Sequence, residues 1–207
     1  MGLPMTRRDA HFTYGDYREW PEDERWELID GVAYNLCAAP SLYHQYIAGE
    51  LFRQMANFLK GKPCKVFIAP FDVLLPEWPE QDEDEVDTVV EPDIVVFCDH
   101  EKLYPKGARG APDLVVEVLS PWTSKKDLNE KFRLYERVGV REYWVIDPES
   151  RSLQAYRLEE QRSRRPAEGT VRRFGEALIM VGGGHIPSLV LEGYVLELAS
   201  LFEDMPV

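Results

Sequence analysis

Two β-branched runs, each with a carboxylate inside it, constrain this chain more than any other feature. Residues 89–98 and 113–119 are bounded by proline, glycine and charge, the pattern of buried strands. Asp93 heads Ile94-Val95-Val96-Phe97, and Glu117 sits in the middle of Leu114-Val115-Val116-Glu117-Val118-Leu119. A carboxylate within a buried strand is costly unless it is paired, hydrogen-bonded or bound to a metal. Strand side chains alternate faces, so Asp113, Val115, Glu117 and Leu119 share one face. Glu117 can therefore share a site with Asp93 if the two strands are neighbours.

A lysine completes the set. Residues 120–124 (SPWTS) carry turn and N-cap chemistry, and a helix is expected from there to about Arg137, stopped by Gly139. At about 100° per residue, Lys131 falls inside the apolar stripe of Leu128, Phe132, Tyr135 and Val138, whereas Lys126 falls on the solvated side. An Asp and a Glu on adjoining strands with a Lys beside them suit phosphodiester hydrolysis. The carboxylates hold a hard divalent cation through oxygen, the cation polarises the phosphoryl group and acidifies water, and the ammonium offsets charge developing in the transition state.

Pro92-Asp93 followed by Glu117 on the next strand resembles the PD-(D/E)XK restriction-endonuclease-like superfamily. The wording GAPDLVVEVLSPWTSKKDLNEKFRLYERVGVREYWVIDP, and earlier WELIDGVAYNLCAAPSLYHQYIAGEL, resembles the Uma-two family of endonucleases. The likeness covers most of the chain, and residues 110–148 are its specific part. It implies a Mg²⁺- or Mn²⁺-dependent endonuclease acting on nucleic acid, DNA in the first instance, with Asp93 and Glu117 holding the metal and Lys131 positioning the attacking water. The backbone carbonyl of Val118 is a further candidate ligand. One departure matters: the superfamily pattern places Lys two residues after the Glu, and this chain has Leu119 there. The Uma-two pattern resembles nucleases whose lysine has moved to the following helix, which points to Lys131. Enzymes of this type often act as homodimers, although no segment here picks out an interface.

Composition sets limits on that reading. A length of 207 residues and a hydrophobic content of 44% fit one well-filled domain spanning 1–207, with its core at about 40–160. No apolar run approaches the roughly 20 residues of a membrane span, and the N-terminal segment has no signal-peptide core. A cytoplasmic protein without a membrane partner is expected. Cys37, Cys64 and Cys98 have no CxxC spacing and read as unpaired core thiols. The net charge of −13 argues against a constitutive nucleic-acid binder, because phosphate contacts need Lys and Arg. The imbalance is concentrated in EWPEQDEDEVD at residues 77–87, read as a solvated loop, with a polyanion mimic as the alternative. The rival class is thus a catalytically silent nuclease-fold protein that acts by binding, and metal binding that depends on Asp93 and Glu117 separates the two.

The rest of the chain supplies the frame. Asp30-Gly31 between alternating residues predicts a type I′ hairpin, read as a two-stranded lid. Glu27 within it reads as a strand residue near the edge, with a functional acid as the alternative. Ser41 caps a helix to about Leu59 whose stripe holds Ile47, Leu51 and Met55, and His44 reads as a hydrogen-bonded core residue on that stripe. A strand at 65–75 is broken or bulged at Pro70, and Asp72 in it either supports the site or marks an edge. Residues 99–110 form a polar crossover or line a phosphate path with Lys102, Lys106 and Arg109. Asp113 also follows a proline and is the rival to Asp93. Strands are expected at 141–148 and 152–158, then an arginine-rich hairpin or loop at 157–173, short strands around Gly182-Gly183-Gly184, and a terminal amphipathic helix at 194–202. The sum is an α/β domain: a restriction-endonuclease-like mixed central sheet flanked by helices, with an added N-terminal β-hairpin.

Overall fold

The computed structural model describes residues 6–7, 10–21, 23–36, 40–120, 127–162 and 170–205. Chain order begins with β1 (Thr6–Arg7), the short helix α1 (Tyr14–Tyr17), β2 (Trp26–Ile29) and β3 (Val32–Asn35). Asp30 and Gly31 take positive φ values of 50° and 75°, the type I′ turn that Asp-Gly favours. Ser41 accepts the His44 N–H at 3.1 Å and starts helix α2 (Leu42–Leu59), which buries Ile47, Ala48, Leu51, Met55 and Leu59.

The stretch around Pro70 is two strands, β4 (Lys65–Ile68) and β5 (Asp72–Leu74), separated at the cis Ala69–Pro70 bond. A tertiary amide lacks the ladder donor, so the break falls where the chain passes from one sheet to the other. There follow β6 (Val89–Val90), β7 (Ile94–Phe97), β8 (Leu103–Tyr104), β9 (Gly107–Arg109) and β10 (Leu114–Val118). A π turn at Asp127–Lys131 leads into α3 (Phe132–Val138), which stops at Gly139 with φ 91°. Then come β11 (Glu142–Asp147), β12 (Ser152–Arg162), β13 (Thr170–Phe174), β14 (Leu178–Val181), β15 (His185–Pro187) and β16 (Val195–Glu197).

The central mixed sheet has the order β13-β12-β11-β10-β7-β4, with β14 also on β12. Only β10 and β11 run parallel in it. One face, carrying Ile94, Val96, Leu114, Val116, Val118 and Trp144, packs on α2 and on the C-terminal residues Leu196, Leu198 and Leu201. The opposite face, carrying Val95, Phe97, Val115, Tyr143 and Val145, packs on Leu134 and Tyr135 of α3 and on Ile29, Val73 and Val90 of a second sheet. That second sheet runs β1-β3-β2-β6-β5-β9-β8. The architecture is the mixed α/β arrangement expected of the restriction-endonuclease-like class.

Several expectations are corrected. The N-terminal hairpin is no isolated lid: β2 pairs β6, so the hairpin continues the second sheet. Cys64 and Cys98 form a disulfide, because the antiparallel β4–β7 register that pairs Lys65 with Phe97 sets the two cysteines opposite each other. Cys37 lies outside the described residues. The acidic segment is partly packed, with a 3₁₀ turn at Glu83–Glu85, a fully buried Val86 and an Arg18–Asp84 ion pair onto α1. The 99–110 crossover contains the β8–β9 hairpin. Its Lys102 donates to the Ala111 carbonyl at 2.9 Å and its Arg109 to the Pro79 carbonyl at 3.2 Å, so these two cations bind protein oxygen. The 194–202 helix is instead strand β16 and a 3₁₀ turn at Leu198–Leu201. Tyr194, Leu196 and Leu198 are buried while Val195 and Glu197 are exposed, a period of two that pairing with β15 enforces.

Candidate active site

Strands β7 and β10 run antiparallel with Val116 opposite Ile94 and Val115 opposite Val95. The same register continued by one residue sets Asp93 against Glu117. The two carboxylates meet through the backbone: Asp93 Oδ2 accepts the N–H of Val118, the residue after Glu117, at 2.7 Å. Asp93 Oδ2 also stands 3.1 Å from His44 Nε2 at the first turn of α2. His44 is therefore more than a core residue of the helix stripe; it orients the carboxylate that heads β7. A sequence stripe locates a side chain on a helix face but cannot show what the next strand presents to it.

Glu117 is buried and is approached from the other side of the sheet. Lys131 Nζ donates to Glu117 Oε1 at 2.7 Å, and Tyr135 Oη donates to the same oxygen at 2.8 Å. Lys131 closes the π turn and Tyr135 follows in α3, so the helix delivers both donors from one face. Lys131 is only 4% exposed. Burial pushes the Tyr135 phenol well above its usual range, and the Glu117 charge adds to that, so the hydroxyl is held as a donor.

Lys131 has a second carboxylate. Its Nζ stands 2.9 Å from Glu27 Oε1, and Glu27 is fully buried in β2. Glu27 Oε1 also accepts the Glu91 N–H at 3.0 Å. The strand-edge reading of Glu27 is thus corrected: β2 is buried along all four residues and lies inside the second sheet, between β3 and β6. The signal was present in the sequence as an acid between Trp26 and Leu28. Glu91 in turn holds Arg25 and lies beside Asp72. Asp72 receives Tyr17 Oη at 3.5 Å, and its carboxyl is pushed up to about 6, first by burial and then by the Glu91 charge.

Asp113 belongs elsewhere. Its carboxylate accepts the Cys98 N–H at 2.8 Å and the Arg141 guanidinium at 3.2 Å. Four residues of strand separate it from Glu117, about 13 Å at 3.3 Å per residue, so the two line different ends of β10. Lys126 and the Ser120-Pro121 capping region beyond Ser120 fall outside the described residues.

The donor set fits a hard cation only in its sparse form. Among the described residues no group of three or more His, Cys, Asp and Glu side chains is placed to hold an ion. Two carboxylates at adjoining strand ends nevertheless match Mg²⁺, which commonly takes one or two carboxylates and completes its shell with water and substrate phosphate. No helix among the described residues is long and apolar enough to cross a membrane.

This chain is similar to an uncharacterized protein of Synechocystis, slr1290, with 28% identity over 144 residues, covering 68% of this chain and 71% of that one. Its fold is similar to the crystal structure of a "putative nuclease belonging to DUF820" from Anabaena variabilis, with a TM-score of 0.68 and 20% identity, over 92% of this chain and 97% of the other. The strand-end carboxylates and the helix-borne lysine fall within residues 14–180, which match the model of the Uma2 family, described as "Putative restriction endonuclease". The chain belongs to that family.

Proposed function

We propose that this nuclease-family chain is a Mg²⁺- or Mn²⁺-dependent endonuclease that hydrolyses phosphodiester bonds in DNA. The observation that carries the reading is the lysine, which replaces the one missing at Leu119: Lys131 Nζ lies 2.7 Å from Glu117 Oε1. A divalent cation held by Asp93 and Glu117 would polarise the phosphoryl oxygen and lower the pKa of the attacking water. Lys131 keeps a positive charge where negative charge builds on the phosphate, and its two carboxylate partners hold it in one place before substrate arrives. Tyr135 fixes the Glu117 rotamer, and His44 with the Val118 N–H fixes that of Asp93. Burial of Glu27, Glu117 and Lys131 excludes bulk water from the ammonium and strengthens its field.

A catalytically silent binding protein is the second reading, favoured by the net charge of −13 and by a lysine already facing two carboxylates. Calorimetric titration of Mn²⁺ into the wild type and into Glu117→Ala separates the two. Binding that disappears in the variant, together with metal-dependent nicking of a supercoiled plasmid, supports the endonuclease. No binding in either protein supports the silent one.

A further inference from the structure

Helix α3 and strand β13 enclose an open groove of about 720 Å³ on the side of the helix that turns away from Glu117. Arg133, Arg137, Arg172 and Arg173 line it with a single carboxylate, Glu136, over an apolar floor that includes Phe132. Four guanidinium groups on one concavity stand out in a chain of net charge −13. The floor is firm, because Phe132 packs edge-on to Tyr156 at 4.9 Å and tilts on Phe174 at 5.1 Å.

Of the groove's ion pairs, one is held and one is loose. Glu136 takes Arg173 at 2.7 Å and the Phe174 N–H at 2.7 Å, which ties β13 to α3. Arg137 pairs with Asp30 at the rim, where both side chains are more than half exposed. Exposed pairs of this kind contribute about 1 kcal/mol or less, so a phosphate can take over the guanidinium at small cost. Arg172 lies across Gly139, where an added Cβ would come within 3.3 Å of its Nη1. Arg133 is exposed. Guanidinium forks match the paired oxygens of a phosphodiester.

Building on the endonuclease reading, we propose that the α3–β13 groove is a docking surface for the sugar–phosphate backbone of double-stranded DNA. Two residues after Lys131 the helix has turned by about 200°, so Arg133 points away from Glu117. The groove flanks the catalytic carboxylates and does not cover them. One short helix thereby serves two ends: its start faces Glu117 and its outer side grips the backbone of the duplex beside the site. The arrangement also answers the acidic charge of the chain, since phosphate contacts need local, not net, positive charge.

The test is fluorescence anisotropy of a short labelled DNA duplex in EDTA, so that binding is read without cleavage. Intact wild type is compared with Arg133→Glu/Arg172→Glu, with the milder Arg133→Ala/Arg172→Ala, and with Arg53→Glu, an exposed charge reversal on α2 outside the groove. Each variant is first checked for an unchanged melting curve. Binding weakened about ten-fold or more in the reversal, less in the alanine pair, and with a salt slope about one unit shallower per lost phosphate contact, supports the proposal. Arg53→Glu should bind as wild type does. The proposal is overturned if the groove variants bind like wild type, if all three variants weaken equally, or if the wild type binds no duplex. Plasmid nicking by wild type and Glu117→Ala in the same series reports on the endonuclease reading separately: nicking that persists with an inert groove sinks the groove alone.

Discussion

Lys131 reaches Glu117 from a helix and not from the strand: 14 residues separate them, yet Nζ and Oε1 are 2.7 Å apart in a buried setting. The lysine also stands between that carboxylate and Glu27, so its removal leaves two buried acids facing each other. Lys131→Met should cost about 3–5 kcal/mol of stability and lower kcat by about 100-fold or more. The double variant Glu27→Gln/Lys131→Met should recover much of the stability and none of the rate. Chemical denaturation and plasmid nicking on the four-member cycle check both. Recovery of the rate in the double variant would show that Lys131 is only a structural counter-ion.

His44 acts through Asp93, to which its Nε2 lies at 3.1 Å. Partners of this kind that orient a ligating carboxylate are worth about 10- to 100-fold in metal affinity. His44→Ala should therefore raise the Mn²⁺ concentration needed for half-maximal nicking by about ten-fold, and His44→Gln, which keeps an N–H donor, should restore most of it. A merely structural histidine would change the melting temperature and leave the Mn²⁺ dependence where it was.

Asp72 gives a pH signature. Its folded carboxyl titrates at about 6 against 3.8 when unperturbed, because of burial and the neighbouring Glu91 charge. The folded chain therefore binds more protons than the unfolded one between those values, and stability falls as pH rises through that window. The contribution is fully present below about 4 and gone above about 6. Asp72→Asn removes the cost of the charge, so it should be more stable than wild type at pH 7.5 by about 1–3 kcal/mol and melt at a higher temperature. The difference should shrink toward pH 4. Parallel melting curves at both pH values would show that the carboxylate is adequately solvated.

Asp93, Glu117 and Lys131 stood out in the sequence because each interrupts a regular apolar pattern, and such interruptions have few physical causes. The helix stop at Gly139, the Asp30-Gly31 turn and the Ser41 cap were legible because their signals are local, whereas the expected start of that helix lies outside the described residues and 127–131 form a π turn. What stayed hidden needed register or layering. Glu27 read as a strand edge because nothing within the hairpin says that β6 pairs with β2, or that Lys131 and the central-sheet residue Glu117 lie on its other side. Cys64 and Cys98 are 34 residues apart and meet only because β4 and β7 pair in one register. Val195, Leu196, Leu198, Leu201 and Phe202 read as the apolar side of a helix, and only pairing with β15 shows a strand that turns Leu196 inward and Val195 outward, followed by a turn. The arginines of α3 and β13 lie far apart in sequence, so their common groove could not be read from either segment alone.

Glu142 is the residue whose importance was least visible, and it supplies the last test. It is fully buried at the head of β11, and its carboxylate accepts the Trp144 indole at 2.9 Å, the Ser188 hydroxyl at 2.7 Å, and the Leu189 and Val190 N–H groups at 2.8 and 3.0 Å. One side chain thereby ties the segment between β15 and β16 to the central sheet and satisfies backbone donors that have no strand partner. Hydrogen bonds to a charged group are the strong ones, and losing the acceptor leaves buried donors unpaired. Glu142→Ala should cost about 3–5 kcal/mol, which for a chain of this size is a fall of about 6–20 °C in melting temperature. Glu142→Gln should cost less, since its amide oxygen still accepts. Glu142 pairs with Leu114, at the opposite end of the β10–β11 ladder from Val118 and Ile146. Nicking rate per folded molecule and Mn²⁺ affinity should therefore be unchanged in both variants below their melting range. Loss of Mn²⁺ binding in a folded Glu142→Gln protein would mean that the C-terminal segment, and not only the strand ends, shapes the metal-binding carboxylates.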